Sequence, residues 1–299
     1  MKKIKFFVSI CWLVFFSSCL RLDSNLFNLG EKIKEYKLDL YSGEQDFRLD
    51  QSYNIPDSLI HLFTLSSKLP DENEAKKIYA IYIGRIQDIA TDTVIMYCHG
   101  NKWHMDFYWQ RAKLLAHSGG KNRFGVLMID YRGYGLSEGE PSEEGLYADT
   151  DAALQWLKLN GLSNDRLIFY GFSMGSAPVC ELTSKPRTMS PKKIILEAPF
   201  ASADVMAADG SQLNMPASFF TNLKIDNAEE IKNVQQDLCW MHGKNDLFLS
   251  YSTHGQLVFN NHAGSYKEYH LIEGADHGEI PEKVGFQQYN QIISNFILK

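Results

Sequence analysis

The segment at 171–175, Gly-Phe-Ser-Met-Gly, places Ser173 between two glycines, directly after an apolar run at 166–170. That run predicts a buried strand, and residues 176–184 predict a helix. A serine at such a turn takes a strained backbone conformation, and flanking glycines remove side chains that would collide with strand and helix. Ser173 is therefore the candidate nucleophile. The alternative is a small residue in a glycine-rich turn, since the pattern alone arises by chance in roughly one chain in ten of this length.

A serine hydroxyl becomes a good nucleophile only when a base removes its proton, and a histidine titrates near neutral pH. The sequence contains 9 histidines. His277 is the best placed, on a loop between a predicted strand at 266–271 and the final helix, whereas His117, His254 and His262 fall on predicted helices or at their ends. We expect His277 to be the base, and the alternative is a solvent-exposed loop residue.

The histidine needs a carboxylate that holds its tautomer and stabilises the imidazolium. Asp276 is a poor candidate, because the side chains of adjacent residues point apart. Asp246 follows a predicted strand at 237–241, and its loop brings the carboxylate to the same edge of the sheet. We expect Asp246 to be the acid, and the alternative is an aspartate that caps its own loop.

The elements that must position these side chains alternate along the chain. Apolar β-type runs occur at 59–66, 77–84, 93–98, 124–130, 166–170, 193–197, 237–241 and 266–271. Helical patterns lie between them, one with Ser142 as N-cap and the last with Pro281 in its first turn. The alternation predicts an α/β fold, a mostly parallel eight-stranded sheet with helices on both faces.

Four stretches of the chain carry a family resemblance: YCHGN at 97–101, DYRGYGLSEGEPSEEGLYAD at 130–149, GFSMGS at 171–176, and HGKND together with ADHG. Over residues 60–299 the chain resembles a serine hydrolase of the α/β-hydrolase superfamily. The second stretch is similar to the branch of lysophospholipases, monoacylglycerol lipases and membrane-associated depalmitoylases. The chain order serine, aspartate, histidine is the one that this topology requires.

The resemblance implies further roles. By matching positions, the backbone N–H groups of Asn101 and Met174 form the oxyanion hole, which stabilises the charge that develops on the attacked carbonyl oxygen. His99 is expected to brace the turn rather than to ionise. Three more residues that match the family pattern are interpreted as structural: Asp130, Arg132 and Tyr134.

The segment at 198–232, between the sixth strand and the acid, predicts a short lid. Its larger apolar side chains are candidates either for an acyl groove or for packing: Phe200, Met206, Met215, Phe219 and Phe220. We therefore expect hydrolysis of carboxylic esters or thioesters with an acyl chain or lipid-like substrate, without a cofactor or a metal. The alternatives are a serine peptidase of the same fold and a catalytically silent lipid-binding protein.

The N-terminus has the layout of an export signal, because three lysines precede an apolar run at 6–16 that soon meets Cys19. The run is shorter than the roughly 20 residues of a membrane-spanning helix. The small residues before Cys19 resemble a bacterial lipobox, which implies a lipid anchor on that cysteine and a place in the bacterial cell envelope, facing the periplasm or the exterior. The alternative is a secreted protein.

These features divide the chain into a signal peptide at 1–18, a tether and N-terminal extension at 19–57, and a hydrolase domain at 58–299. The net charge of -6, with no long basic run beyond the N-terminus, gives no support for nucleic-acid binding. Three cysteines lie in or beside apolar runs, and an odd number cannot all pair, so we interpret them as core residues: Cys98, Cys180 and Cys239.

Overall fold

The computed structural model of the protein describes residues 26–30, 32–120, 124–211 and 221–299. Its centre is one eight-stranded sheet in the order β1-β2-β4-β3-β5-β6-β7-β8. The strands are β1 Ile60–Ser67, β2 Lys76–Ile83, β3 Val94–Cys98, β4 Gly125–Ile129, β5 Leu167–Phe172, β6 Lys193–Glu197, β7 Asp237–Gly243 and β8 Lys267–Ile272. Strand β2 is antiparallel to β1 and β4, and the remaining pairs are parallel. The predicted sheet is confirmed.

The helices are α1 Met105–Ala116, α2 Glu143–Leu159, α3 Ser176–Ser184, α4 Ala203–Ser211, α5 Asn227–Glu230, α6 Gly255–Asn261, α7 Ile280–Val284 and α8 Phe286–Leu298. They cover both faces of the sheet, because successive side chains of a strand point to opposite sides. In β3, Met96 packs in the cluster formed with α2 and α3, whereas Ile95 and Tyr97 pack in the cluster formed with α1 and α8.

The helix ends agree with the sequence at one site and differ at another. The hydroxyl of Ser142 accepts a hydrogen bond from the N–H of Gly145 at 3.1 Å, which caps α2 as predicted. The final helix is interrupted: Pro281 lies in the short α7, and α8 begins only after Gly285. Gly285 has φ of +87°, a left-handed conformation that breaks the helix, so the expectation of one continuous final helix was wrong.

The residues before β1 lie across the domain, and we call 26–30 and 32–57 the N-terminal strap. The buried carboxylate of Asp106 on α1 accepts hydrogen bonds from two backbone N–H groups of the strap. Leu26, Phe47 and Ile55 are buried within the strap. The predicted signal peptide and Cys19 lie outside the described residues, so the structure describes only part of the predicted tether.

Cys98, Cys180 and Cys239 are buried free thiols, as predicted. Among the helices in the described part of the chain, none combines the length and the apolar character that a bilayer crossing requires.

Candidate active site

Ser173 lies in the tight turn that joins β5 to α3. Its φ is +52°, a left-handed conformation that is uncommon for residues other than glycine. The turn also approaches its neighbours closely: a Cβ atom on Gly171 would lie 2.6 Å from the carbonyl oxygen of Gly175, and one on Gly175 would overlap the carbonyl oxygen of Cys98. Both glycines are therefore required for this turn, which presents Ser173 in the strand-turn-helix setting of a nucleophile elbow.

The structure brings the three predicted catalytic side chains together. The Nε2 atom of His277 lies 2.8 Å from the Oγ atom of Ser173, and its Nδ1 atom lies 2.7 Å from the Oδ2 atom of Asp246. A carboxylate can only accept a hydrogen bond, so Nδ1 carries the imidazole proton and Nε2 is left to accept the serine proton. These positions are those of a nucleophile, a base and an acid.

The carboxylate of Asp246 is buried and fully hydrogen-bonded. One oxygen accepts from the N–H groups of Phe248 at 2.9 Å and Leu249 at 2.7 Å, and the other lies within reach of His242 and His277. Burial opposes ionisation, but the hydrogen bonds from His242 and His277 outweigh it and hold the pKa of Asp246 well below its usual range. Asp246 is therefore an anion that stabilises the positive charge of a protonated His277.

His242 is a further side chain beside the carboxylate of Asp246, and the sequence analysis did not predict it. Its Nε2 atom lies 3.1 Å from the Oδ2 atom of Asp246, and its Nδ1 atom lies 3.2 Å from the indole Nε1 atom of Trp240. An indole N–H only donates, so Nδ1 of His242 accepts, and Nε2 holds a proton that Asp246 shares with the carbonyl oxygen of Leu249, which lies 2.9 Å away. The available signal was the spacing of Trp240 and His242, which places both side chains on one face of β7.

Asp276 has a different task from Asp246. Its Oδ1 atom accepts hydrogen bonds from the backbone N–H groups of Leu247 at 3.0 Å and His277 at 2.8 Å. These bonds connect the loop of the acid to the loop of the histidine, and the carboxylate beside the imidazole is that of Asp246.

The two predicted oxyanion donors line the same cavity as Ser173. Met174 directly follows the serine, and Asn101 lies in the turn after β3. The carbonyl oxygen of Asn101 accepts hydrogen bonds from the N–H of Asn28 at 3.0 Å and from the hydroxyl of Tyr134 at 3.2 Å. The N-terminal strap and Tyr134 therefore hold the turn that carries Asn101.

The residues interpreted as structural are buried around this turn. The Nε2 atom of His99 lies 3.2 Å from a carboxylate oxygen of Asp130, and its Nδ1 atom bonds to the neighbouring carbonyl group. Arg132 forms an ion pair with Asp149 at 2.8 Å, which fixes the start of the following loop to α2. These contacts support a structural interpretation.

A cavity of about 200 Å³ opens at Ser173, and most of its lining is apolar. Its lining includes Leu26, Phe200, Met206, Leu223 and Phe248. Two of the predicted lid side chains, Phe200 and Met206, are therefore in the cavity wall, whereas Met215, Phe219 and Phe220 lie outside the described residues. Leu26 of the strap was missed, because no local pattern connects it to a site more than a hundred residues away.

One group within the described residues has the ligand types of a metal site: Cys239, Glu268 and His270, whose ligand atoms lie within 4.8 Å of one another. Burial raises the pKa of the Cys239 thiol well above its ordinary value. Metals bind the thiolate, so this environment disfavours the ligand form of Cys239. We assign no chemistry to the group.

The sequence is similar to known proteins over most of its domain. A family model described as "Serine aminopeptidase, S33" matches residues 90–238. The alpha/beta hydrolase domain-containing protein 17C of Mus musculus is 28% identical over 204 residues, which are 68% of this chain and 59% of that protein. Protein 17B of Xenopus laevis is 27% identical over 206 residues, 68% of this chain and 65% of that protein. The match thus spans less than two thirds of these relatives' length.

Solved structures share the fold at low sequence identity. The esterase Pf2001 of Pyrococcus furiosus has a TM-score of 0.62 and 17% identity, and the match covers 81% of this chain and 93% of the esterase. Est1E of Butyrivibrio proteoclasticus, solved with ferulic acid, has a TM-score of 0.59 and 14% identity, and the match covers 75% of this chain and 95% of Est1E. With the sheet order and the serine turn already described, these similarities show that the chain has the α/β-hydrolase fold, as its motifs predict, and that its sequence is similar to hydrolases of this fold.

Proposed function

We propose that this protein is a serine hydrolase that cleaves carboxylic esters or thioesters of acyl chains through an acyl-enzyme on Ser173. One observation carries the proposal: the Oγ atom of Ser173, the imidazole of His277 and the carboxylate of Asp246 form a continuous hydrogen-bonded series, with separations of 2.8 Å and 2.7 Å, at the end of an apolar cavity. A serine in an ordinary turn has no need of such partners.

In the first half of the reaction, Nε2 of His277 takes the hydroxyl proton while Oγ of Ser173 attacks the substrate carbonyl carbon. The carbonyl oxygen gains negative charge, which the N–H groups of Asn101 and Met174 stabilise. The tetrahedral intermediate then expels the alcohol or thiol, which leaves with the proton from Nε2. Asp246 lowers the cost of the imidazolium that exists between these two transfers.

In the second half, His277 removes a proton from a water molecule, and the resulting nucleophile attacks the acyl carbon on Ser173. Collapse of the second intermediate returns the proton to Oγ and releases the carboxylic acid. No cofactor and no metal takes part in either half.

The cavity suits the acyl part of the substrate, because its lining is mostly apolar. Its volume of about 200 Å³ is below the roughly 300–1,000 Å³ of pockets for drug-sized ligands, so we expect short and medium acyl chains to be preferred. A panel of p-nitrophenyl esters and acyl thioesters of graded chain length measures this. A monotonic rise of kcat/KM up to the longest chains would contradict it.

A serine peptidase is the second candidate, and the description of the matching family model favours it. An aminoacyl amide in the same panel separates the two candidates. We expect the esters and thioesters to be cleaved at far higher kcat/KM than the amide, and the reverse order would establish the peptidase.

Labelling with a fluorophosphonate tests the nucleophile itself. The reagent should label Ser173 covalently in the wild type and leave Ser173→Ala unlabelled. If the folded wild type stays unlabelled, the chain is the silent lipid-binding protein instead.

We also propose that Cys19 is lipidated and that the protein is anchored in the bacterial cell envelope. Leu26 lies in the cavity wall, and a chain of seven residues, the separation of Leu26 from Cys19, spans at most about 25 Å. Near the cavity, the loop of the acid exposes 90% of Leu247 and 56% of Phe248, an apolar surface that suits a nearby bilayer.

The anchor is tested by cell fractionation after expression in a bacterium with a lipoprotein pathway. The wild type should sediment with membranes and incorporate labelled fatty acid, whereas Cys19→Ser should do neither. Equal sedimentation of the two proteins without labelling would contradict the anchor, and recovery of both in the soluble fraction would favour the secreted alternative.

A further inference from the structure

Behind the catalytic histidine lies a buried charged cluster that the proposed reaction does not use. Arg111 on α1 is fully buried, and each edge of its guanidinium has a different partner. Its Nε donates to Asp46 of the N-terminal strap at 2.6 Å, one terminal nitrogen donates to Glu197 at 2.5 Å, and the other donates to the carbonyl oxygen of Gly278 at 3.2 Å.

The third of these partners connects Arg111 to the catalytic base. Gly278 follows His277, so the hydrogen bond to its carbonyl group fixes the backbone of the catalytic loop. A second route passes through Phe172: the guanidinium carbon lies 4.3 Å from the centre of this ring, and the ring lies 5.4 Å from that of His277. Arg111 therefore contacts both the loop that carries His277 and the ring of Phe172, which packs against the imidazole.

Among the residues described, Asp46 is the only hydrogen-bonding partner of Arg111 that comes from the N-terminal strap. The backbone N–H of Asp46 donates to the carbonyl oxygen of Phe107 at 3.1 Å, which fixes the strap to α1 at this point. The neighbouring ring of Phe47 lies 5.3 Å from the guanidinium carbon and covers it. The strap thus supplies both the carboxylate that bonds to Arg111 and the aromatic ring that covers the guanidinium.

The guanidinium needs Asp46 to keep its orientation. Its N–H groups form a planar fork, so a bond at Nε fixes where the two terminal nitrogens point. Glu197 is shared, since it also accepts hydrogen bonds from the hydroxyls of Tyr170 and Tyr289. If a neutral side chain replaces Asp46, the guanidinium is free to turn towards Glu197, because that carboxylate is then its remaining anionic partner. That turn withdraws the bond from Gly278.

We propose that Asp46 is a positioning residue for the catalytic histidine: the N-terminal strap orients Arg111 through this carboxylate, and Arg111 holds the loop on which His277 lies. The inference rests on the proposed function, because it concerns the same histidine. It also gives the strap a role in the reaction, which its irregular sequence does not predict.

The test compares Asp46→Asn with Asp106→Asn. Both exchange a buried carboxylate for an amide, and both loosen the strap from α1, but Asp106 bonds to the strap at Lys37 and Leu38 and has no bond to Arg111 or to the loop of His277. We expect D46N to lower kcat for a p-nitrophenyl ester about tenfold with KM unchanged, because a displaced base slows proton transfer without changing the cavity. D106N should keep the wild-type kcat.

Fluorophosphonate labelling separates this inference from the proposed function. A folded wild type that does not label removes the hydrolase itself, whereas a wild type that labels beside an equally reactive D46N removes only the role of Asp46. Equal losses in D46N and D106N would also overturn it, since they indicate general loosening of the strap.

A second variant keeps the inference testable if D46N does not fold. Arg111→Lys retains the positive charge beside Glu197, but one ammonium cannot also reach Asp46 and the Gly278 carbonyl with the geometry of a guanidinium. R111K should therefore show the same fall in kcat at constant KM. A folded R111K with wild-type kcat would contradict the inference.

Discussion

Two buried carboxylates act on the loop of His277 from different parts of the chain. Asp246 follows β7, bonds directly to the imidazole and accepts from two backbone N–H groups and His242. Asp46 lies in the strap, and its hydrogen-bonded link to the loop passes through Arg111. Burial raises the pKa of Asp46 despite the nearby charge of Arg111, whereas hydrogen bonds hold the pKa of Asp246 low despite its burial. Burial disfavours the charge of both carboxylates, and the interactions with their partners outweigh it at Asp246 but not at Asp46.

The largest effect is expected when the nucleophile that His277 contacts is removed. Ser173→Ala should lower kcat on the order of a million-fold, because the members of a triad act as a unit. Single-turnover measurement with an activated ester checks this, and circular dichroism controls for folding. In the S173A background, D246N and D46N should cause no further loss. Additive losses would mean that the carboxylates act on something other than this serine.

Asp246→Asn should have the next largest effect, a loss of about 10⁴-fold in kcat. The amide retains the shape of the side chain but can present a donor to His277, which then carries its proton on the wrong nitrogen. The same variant should lose about 2 kcal/mol of unfolding free energy, since hydrogen bonds to a charged group are replaced by weaker ones. Ester kinetics and urea denaturation measure the two losses. A kcat within tenfold of the wild type would exclude Asp246 as the acid.

The hydrogen bond from His242 distinguishes the two carboxylates. Asp246 accepts it, whereas the side chain of Asp46 accepts from Arg111. His242→Leu removes the donor that points at Asp246 and should lower kcat about tenfold, the effect of roughly 1.4 kcal/mol. The matched control is His242→Gln, whose side-chain amide is able to donate in the same direction and should recover most of the rate. The pair is compared by kcat and by the pKa on the acid limb of the rate profile. Equal rates for H242L and H242Q would show that the donor does not matter.

The difference between the two carboxylates also explains what the sequence could predict. The strands, and the three side chains that meet at Ser173, could be predicted because their signals are local: apolar runs, a serine between glycines, and side chains placed directly after strands. Gly285 is also a local signal, since a glycine favours a helix break, and the prediction of one continuous final helix is wrong at this residue.

The cluster around Arg111 had no local signal. Arg111 is separated by 65 residues from Asp46, by 86 from Glu197 and by 167 from Gly278. The strap has no apolar period, so neither its course nor its contacts follow from propensity. An isolated arginine on a helix is ordinarily exposed, and only the packed structure shows that this one is buried.

The smallest expected effect concerns how stability depends on pH. An aspartate has a pKa of about 3.9 in the unfolded chain. The folded pKa of Asp246 is lowered, so its charge contributes stability above about pH 4 that is lost as the pH falls. The folded pKa of Asp46 is raised, so the folded state holds that proton more tightly, and stability is lost as the pH rises from about 4 through the folded value.

Urea denaturation of the wild type, D246N and D46N between about pH 2 and 7 measures both slopes. The stability deficit of D246N relative to the wild type should be nearly constant above about pH 5 and shrink as the pH falls below about 4. D46N should gain on the wild type as the pH rises, by about 1 kcal/mol for each unit of pKa difference. Opposite slopes are expected because one carboxylate is stabilised as an anion and the other is only tolerated as one. Parallel slopes would show that Arg111 stabilises the charge of Asp46 as fully as four hydrogen bonds stabilise that of Asp246.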